Sequence, residues 1–278
     1  MVRWTKFALR FARDAIANPL WTVEALRTVS PAARGMRFAS AGPFRSEPGP
    51  EGPLNPLAAY FDAHRQGPGI LKWEHYFDIY HRHFQKFIGR EVHFLEIGVY
   101  SGGSLEMWKQ YLGARSRIYG VDIEEACRVY ASEQVEILIG DQGDRSFWAN
   151  FRRQVPLLDV VVDDGGHVPD EQIVSLEELL PHLRGGGVYV CEDTHVAPNR
   201  FTSYVSGLAS RLNEGDPSPF LKAVDSVHLY PYVTVIERND HERVPLRSTH
   251  RGTEWQPFLG RVNNAQEPAP TGIRDLRK

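Results

Sequence analysis

Cysteine is scarce in this chain of 278 residues, with only Cys127 and Cys191. Two thiols so placed make neither a disulfide framework nor a CxxC metal knuckle, so a reducing, cytoplasmic setting is expected. Long apolar runs are missing too, and no stretch reaches the roughly 20 residues that cross a bilayer. There is no excess of one charge: 32 Lys and Arg stand against 35 Asp and Glu, a formal net charge of -3. A dominant nucleic-acid partner is therefore not expected. Arg10, Arg13 and Asp14 interrupt the apolar N-terminal stretch, which argues against a cleaved leader. No internal repeat is visible.

What is present falls into four segments. Residues 1–55 form a basic arm that ends in a Gly/Pro-rich linker, GPFRSEPGPEGPLNP over 42–56. Winding residues 3–17 as a helix puts Arg3, Lys6, Arg10 and Arg13 on one sector, opposite Trp4, Phe7, Leu9, Phe11 and Ile16. Two readings stay open for this face. Residues 1–28 could lie on the inner face of a membrane, or the apolar side could pack on protein. Residues 56–90 read as a helical lid or substrate segment, broken by Gly67-Pro68-Gly69. Residues 91–240 read as the core, and 241–278 as a polar tail.

In the core, short apolar runs alternate with amphipathic ones. Strands are expected over 93–99, 117–123, 135–141, 158–164, 186–193, 226–231 and 232–239. Helices suit SLEMWKQYLG, EEACRVYA, DRSFWANFRRQ and PDEQIVSLEELLPHL. This alternation predicts an α/β fold with a mostly parallel sheet covered on both faces. The last two strands nearly abut, so they can only form an antiparallel hairpin. Residues 195–225 are read as loop or lid. Trp73, Tyr76 and Tyr80, at helical spacing, are read as core.

EIGVYSGGS, Glu96 to Ser104, closes the first strand and opens a helix. Its glycines permit a tight turn and a close approach to a ligand. Asp122 ends the next strand, where such folds offer a carboxylate to ribose hydroxyls. Together these point to a nucleotide-like ligand. The spacing differs from G-x-G-x-x-G, which speaks against a dinucleotide.

In FLEIGVYSGGS, YGVDI, GDQ, VVDDGGH and CEDTH, in that order, the sequence resembles the class I S-adenosylmethionine-dependent methyltransferases. More narrowly it is similar to the metal-dependent macrolide and rhamnosyl sugar O-methyltransferases, related to cephalosporin-hydroxylase-type proteins. The resemblance covers about residues 67–240 and implies a Rossmann-like, seven-stranded sheet with a reversed last strand, plus N-terminal helices. It implies S-adenosylmethionine held by Glu96, Gly98, Tyr100, Ser101, Gly102, Ser104, Asp122, Asp141, Gln142 and Asp163. For Asp141 and Gln142 a plain turn role stays open. GILKWEHYFDIY matches a family segment in Lys72, His75 and Tyr76 but lacks its Asp.

Asp163, Asp164 and His167 end the fourth strand, and Glu192 and Asp193 end the fifth. Adjacent parallel strands would bring these carboxylates to one mouth, where crowding raises their pKa unless a cation intervenes. Oxygen ligation suits Mg²⁺ or a similar hard divalent ion. By resemblance Asp164, Glu192 and Asp193 would hold the metal, Asp164 would also serve in catalysis, and His167 would be the base. Helix capping and arginine pairing remain the bland alternatives for the same residues. His195 could join the site or be a loop histidine. The implied activity is O-methylation of a sugar hydroxyl on a glycosylated natural product or glycolipid, by a homo-oligomer. The alternatives are a hydroxylase-type oxidoreductase, for which no two-His-one-carboxylate motif stands out, or a non-catalytic cofactor-binding scaffold.

Overall fold

The computed structural model describes residues 32–40, 54–195, 200–212, 218–241, 249 and 251–252. The expected arm helix, most of the linker and the tail beyond Gly252 lie outside the described residues. The chain divides into two units, residues 1–53 and 54–278. In the first, the described residues 32–40 form one helix.

The second unit carries α1 (Pro56–Ala63), α2 (Tyr76–Phe84), β1 (Val92–Ile97), α3 (Gly103–Leu112), β2 (Ser116–Asp122), β3 (Val135–Ile139), α4 (Arg145–Gln154) and β4 (Leu158–Asp163). It continues with α5 (Pro169–Leu179), β5 (Leu183–Cys191), α6 (Arg200–Leu212), α7 (Pro219–Ala223), β6 (Val224–Tyr230) and β7 (Val233–Arg238). The seven strands form one sheet in the order β3-β2-β1-β4-β5-β7-β6. The first five run parallel, while β7 pairs antiparallel with both β5 and β6. This is the expected mostly parallel sheet with its reversed strand inserted.

The strands form where β-branched residues run together, and each deals its side chains alternately to two faces. Phe94, Val160, Val162, Val188 and Val190 join the core under α1, α2 and α3. Leu95, Val161, Tyr189 and Cys191 join the core under α4, α5 and α6. Local chemistry starts the helices: Asn55 caps α1 by accepting from the Leu57 amide at 2.9 Å, and Asp144 caps α4 through Ser146 at 2.8 Å. Pro169 opens α5, with Asp170 and Glu171 in its first turn.

Four expectations need correction. EEACRVYA forms a 3₁₀ segment, Glu125–Tyr130, with no side-chain cap to anchor a full helix. The supposed loop over 195–225 contains α6 and α7. Phe201, Val205, Leu208 and Leu212 give α6 a helical apolar stripe that packs on the sheet. The segment read as a lid is partly core, because Tyr76, Phe77, Tyr80 and Phe84 of α2 are buried. Finally, the Trp73/Tyr76/Tyr80 stripe splits. α2 begins at Tyr76, so Tyr76 and Tyr80 pack inside, whereas Trp73 sits on the preceding turn and is 49% exposed.

Candidate active site

The sheet order reverses between β1 and β4, so the loops after them diverge and leave a crevice. A cavity of about 990 Å³ occupies it, lined by residues that include Gly98, Asp122, Asp141, Asp164, His167 and Asp193. Gly98 has φ +87°, and a Cβ there would come within 2.1 Å of the Asp164 carbonyl oxygen. Only glycine lets β1 turn that close to the loop after β4. Asp122 holds the same turn. Its Oδ2 accepts from the amides of Val99 at 2.8 Å and Tyr100 at 3.0 Å, and its Oδ1 accepts from Glu124 at 2.9 Å. Burial would raise its pKa, but those three amides outweigh it and lower it.

Alternation carries past the strand ends and sorts the carboxylates. Glu96, Asp164 and Glu192 follow Phe94, Val162 and Val190 onto the α1–α3 face. There they meet Lys72, whose ammonium lies 2.6 Å from Asp164 Oδ2, 3.0 Å from Glu192 Oε2 and 3.8 Å from Glu96 Oε1. Burial acts to lower the Lys72 pKa, yet Glu192, Asp164 and Glu96 together hold it above the ordinary lysine value. Glu192 is raised, first by burial and then by Asp164. Glu192 Oε1 also accepts from the Tyr80 hydroxyl at 2.5 Å, and Glu96 accepts from Ser104 at 2.7 Å and Trp108 at 3.0 Å.

Asp163 goes to the opposite face. It accepts from Tyr189 at 2.9 Å and from Gln142 Nε2 at 3.1 Å, and burial raises its pKa to about 7. Gln142 Oε1 accepts from the Gly166 amide at 2.6 Å. A Cβ on Gly165 would meet that oxygen at 1.9 Å, so Gln142 fixes the backbone that presents His167.

The outer mouth is built from Asp164, His167 and Asp193, whose ligand atoms lie within 4.8 Å of one another. Asp193 Oδ1 accepts from Tyr76 at 2.7 Å and from the Trp73 indole at 3.0 Å. Asp193 Oδ2 is 3.5 Å from His167 Nε2. The other nitrogen, His167 Nδ1, is buried and has no hydrogen-bond partner among the described residues. Backbone strain gathers here too. Among the described residues the non-glycine positions with left-handed backbone are Tyr100, His167, Asp193 and Tyr232. The first three line the cavity. Tyr232 lies beside its rim, its ring tilted against Trp73 and His195 with centroids 5.4 Å and 5.1 Å away.

Of the residues expected at the cofactor, Gly98, Tyr100, Asp122, Asp141 and Gln142 line the cavity. Glu96, Ser104 and Asp163 stand behind its wall, bonded to protein. Gly102 and Gly103 are glycines because of packing: a Cβ would strike the Tyr130 ring in one case and the Pro68 and Gly69 carbonyls in the other. Ser101 lies beside Gly69, under the same loop. Asp141 makes a turn bond to the Gly143 amide at 2.7 Å as well as lining the cavity. Asp164 and Asp193 meet at the mouth, while Glu192 lies one layer deeper on Lys72 and Tyr80. The sequence motif singles out Lys72 without revealing its place among three carboxylates. Strand alternation is the signal that could have shown it. The donor set of the mouth fits a hard divalent ion, and the cavity with its amide-held Asp122 fits a nucleoside-bearing donor.

Residues 95–194 match a family model described as a methyltransferase domain. The chain is 33% identical over 185 residues to demethylmacrocin O-methyltransferase of Streptomyces fradiae, covering 64% of this chain and 42% of that one. It is 31% identical over 222 residues to 8-demethyl-8-alpha-L-rhamnosyl tetracenomycin-C 2'-O-methyltransferase of Streptomyces olivaceus, covering 76% and 56%. The MycE methyltransferase from the mycinamycin biosynthetic pathway, solved in complex with Mg and SAH, superposes with a TM-score of 0.61 at 25% identity, covering 88% of this chain and 67% of that one. The chain spans about half the length of the curated relatives it matches. These likenesses bear out the resemblance drawn from the motifs, in fold and in the methyltransferase domain.

Proposed function

We propose that this chain is an S-adenosylmethionine- and divalent-metal-dependent O-methyltransferase acting on a sugar hydroxyl of a glycosylated natural product or glycolipid. One observation carries this reading: Asp164, His167 and Asp193 converge in a cavity whose lining also includes Gly98 and Asp122. The names of the relatives, and the Mg and SAH in the MycE complex, support it.

When bound, the metal would make a sugar hydroxyl more acidic and the sulfonium donor would supply the methyl group. Asp164, Glu192 and Asp193 would hold the metal, and Glu192 can do so only by sharing its oxygens with Lys72 and Tyr80. Asp122 would offer its remaining lone pairs to the ribose, with Asp141 and Gln142 toward the base. His167 would take the hydroxyl proton on Nε2. Asp193 Oδ2 would then face the resulting imidazolium, and Trp73 and Tyr76 keep that carboxylate aimed. The protein's main contribution is to place acceptor oxygen and methyl carbon together.

The test uses labelled S-adenosylmethionine and an O-demethylated rhamnosyl glycoside. Label transfer should require Mg²⁺, stop in EDTA and return when Mg²⁺ is restored. Full transfer in excess EDTA would reduce the acidic mouth to a structural feature. Failure to bind S-adenosylmethionine at all would remove the reading.

A further inference from the structure

Lys72 carries a consequence for the metal. Its side chain is 3% exposed, and it is the one cation the described residues place on Glu96 and Glu192. The remaining partners of those two carboxylates are neutral donors, Ser104, Trp108 and Tyr80. Without Lys72, two buried carboxylates would be left with no counter-charge, which is costly for a fold. Asp164 belongs to both layers, since it bonds Lys72 and also contributes to the mouth with His167 and Asp193. Two of the three carboxylates assigned to the metal therefore already carry a tethered positive charge.

We propose that Lys72 is a positioning residue: a built-in cation that assembles Glu96, Asp164 and Glu192 before metal arrives and then keeps the metal's affinity low by like-charge repulsion. This rests on the metal-dependent reading above. The count of charges gives it shape. When all are ionised, Glu96, Asp164, Glu192 and Asp193 would carry four negative charges, and Lys72 offsets one. The pocket still attracts a divalent ion, but less than the bare carboxylates would. A mouth that grips metal weakly can exchange it, and the acceptor hydroxyls with it, between turnovers. The same residue lies on the loop just before α2, so it ties that loop to the ends of β1, β4 and β5 as well.

The experiment follows Mn²⁺ binding by electron paramagnetic resonance and thermal unfolding, with neither methyl donor nor acceptor present. It compares wild type, Lys72→Met and Lys72→Arg. Lys72→Met should melt lower than wild type in EDTA, regain more stability on adding Mg²⁺ than wild type gains, and bind Mn²⁺ at least about tenfold tighter. Lys72→Arg, which keeps the charge, should keep an affinity close to that of wild type. If Lys72→Met does not fold, Lys72→Met/Glu96→Gln removes a second buried charge without touching a metal carboxylate, and should bind Mn²⁺ at least about tenfold tighter than Glu96→Gln alone, each methionine variant being read against its own Lys72-containing parent. Mn²⁺ binding that is unchanged or weaker in the methionine variants would overturn the proposal while leaving the metal reading intact. Absence of Mn²⁺ binding in every variant and in wild type would overturn both.

Discussion

Two clusters in this molecule have nearly the same composition and opposite characters. At the mouth stand Asp164, His167 and Asp193. At the sheet edge stand His83 of α2, His228 of β6 and Glu237 of β7, with ligand atoms also within 4.8 Å of one another. The edge cluster supplies two histidines and a carboxylate, the set that the sequence did not reveal. Its groups are satisfied by protein. His83 bonds Glu237 through Nδ1 and the Tyr230 hydroxyl at 2.9 Å through Nε2. His228 Nε2 meets Ser226 at 3.0 Å, and Lys86 sits 3.3 Å from Glu237. None of the three lines the large cavity. At the mouth a buried imidazole nitrogen has no partner among the described residues, His167 and Asp193 have strained backbone, and the cavity adjoins. Ligand geometry alone does not separate the two clusters. Unmet hydrogen bonds, strain and access do.

The largest contrast should come from histidine. His167→Ala is expected to lower turnover by about 10²–10⁴-fold, with S-adenosylmethionine affinity by calorimetry unchanged. Retention of more than about a tenth of the activity would remove His167 as the base. Next comes Trp73→Phe, which deletes one hydrogen bond to the Asp193 carboxylate at a half-exposed position. Turnover should fall by about tenfold, the worth of one charge-assisted bond, while thermal stability holds. An equal loss of stability would mean that Trp73 serves the fold instead.

At the edge the expected effects are on folding. Hydrogen bonding from His83 lowers the Glu237 pKa to about 2 from its ordinary 4.5. A depressed carboxylate stabilises the fold above its unfolded pKa, and that contribution is lost as pH falls from about 4.5 toward 2. Urea unfolding should therefore show wild type losing more stability across this window than Glu237→Gln. Identical slopes would mean that the pair does not form. The smallest effect should be on catalysis by His228→Ala, with turnover within about twofold of wild type. A large loss there would erase the distinction between the clusters.

The strands and the mouth are legible in the sequence because both arise from period-two patterning. Val160, Val161 and Val162 announce a buried strand, and the polar residues after them must emerge at its carboxyl end. The same period assigns Asp163 and Asp164 to opposite faces, which separates Asp163 from the cavity although the motif groups it with the cofactor residues. α6 escapes notice because Thr202, Ser203, Ser206 and Gly207 dilute a helical stripe with weak helix formers. The edge cluster is illegible because its members come from α2, β6 and β7, and only the inserted β7 brings them together. Lys72 reads in the sequence as one match in a motif. Its meaning depends on three strand ends converging around it.

The most direct test of the distinction is the site of metal binding. Mn²⁺ added to wild type, Asp193→Asn and His228→Ala, and followed by electron paramagnetic resonance, reads it without any turnover. Wild type and His228→Ala should bind Mn²⁺ alike, and Asp193→Asn should bind it at least about tenfold more weakly. Binding lost in His228→Ala but kept in Asp193→Asn would place the metal at the sheet edge and contradict the account.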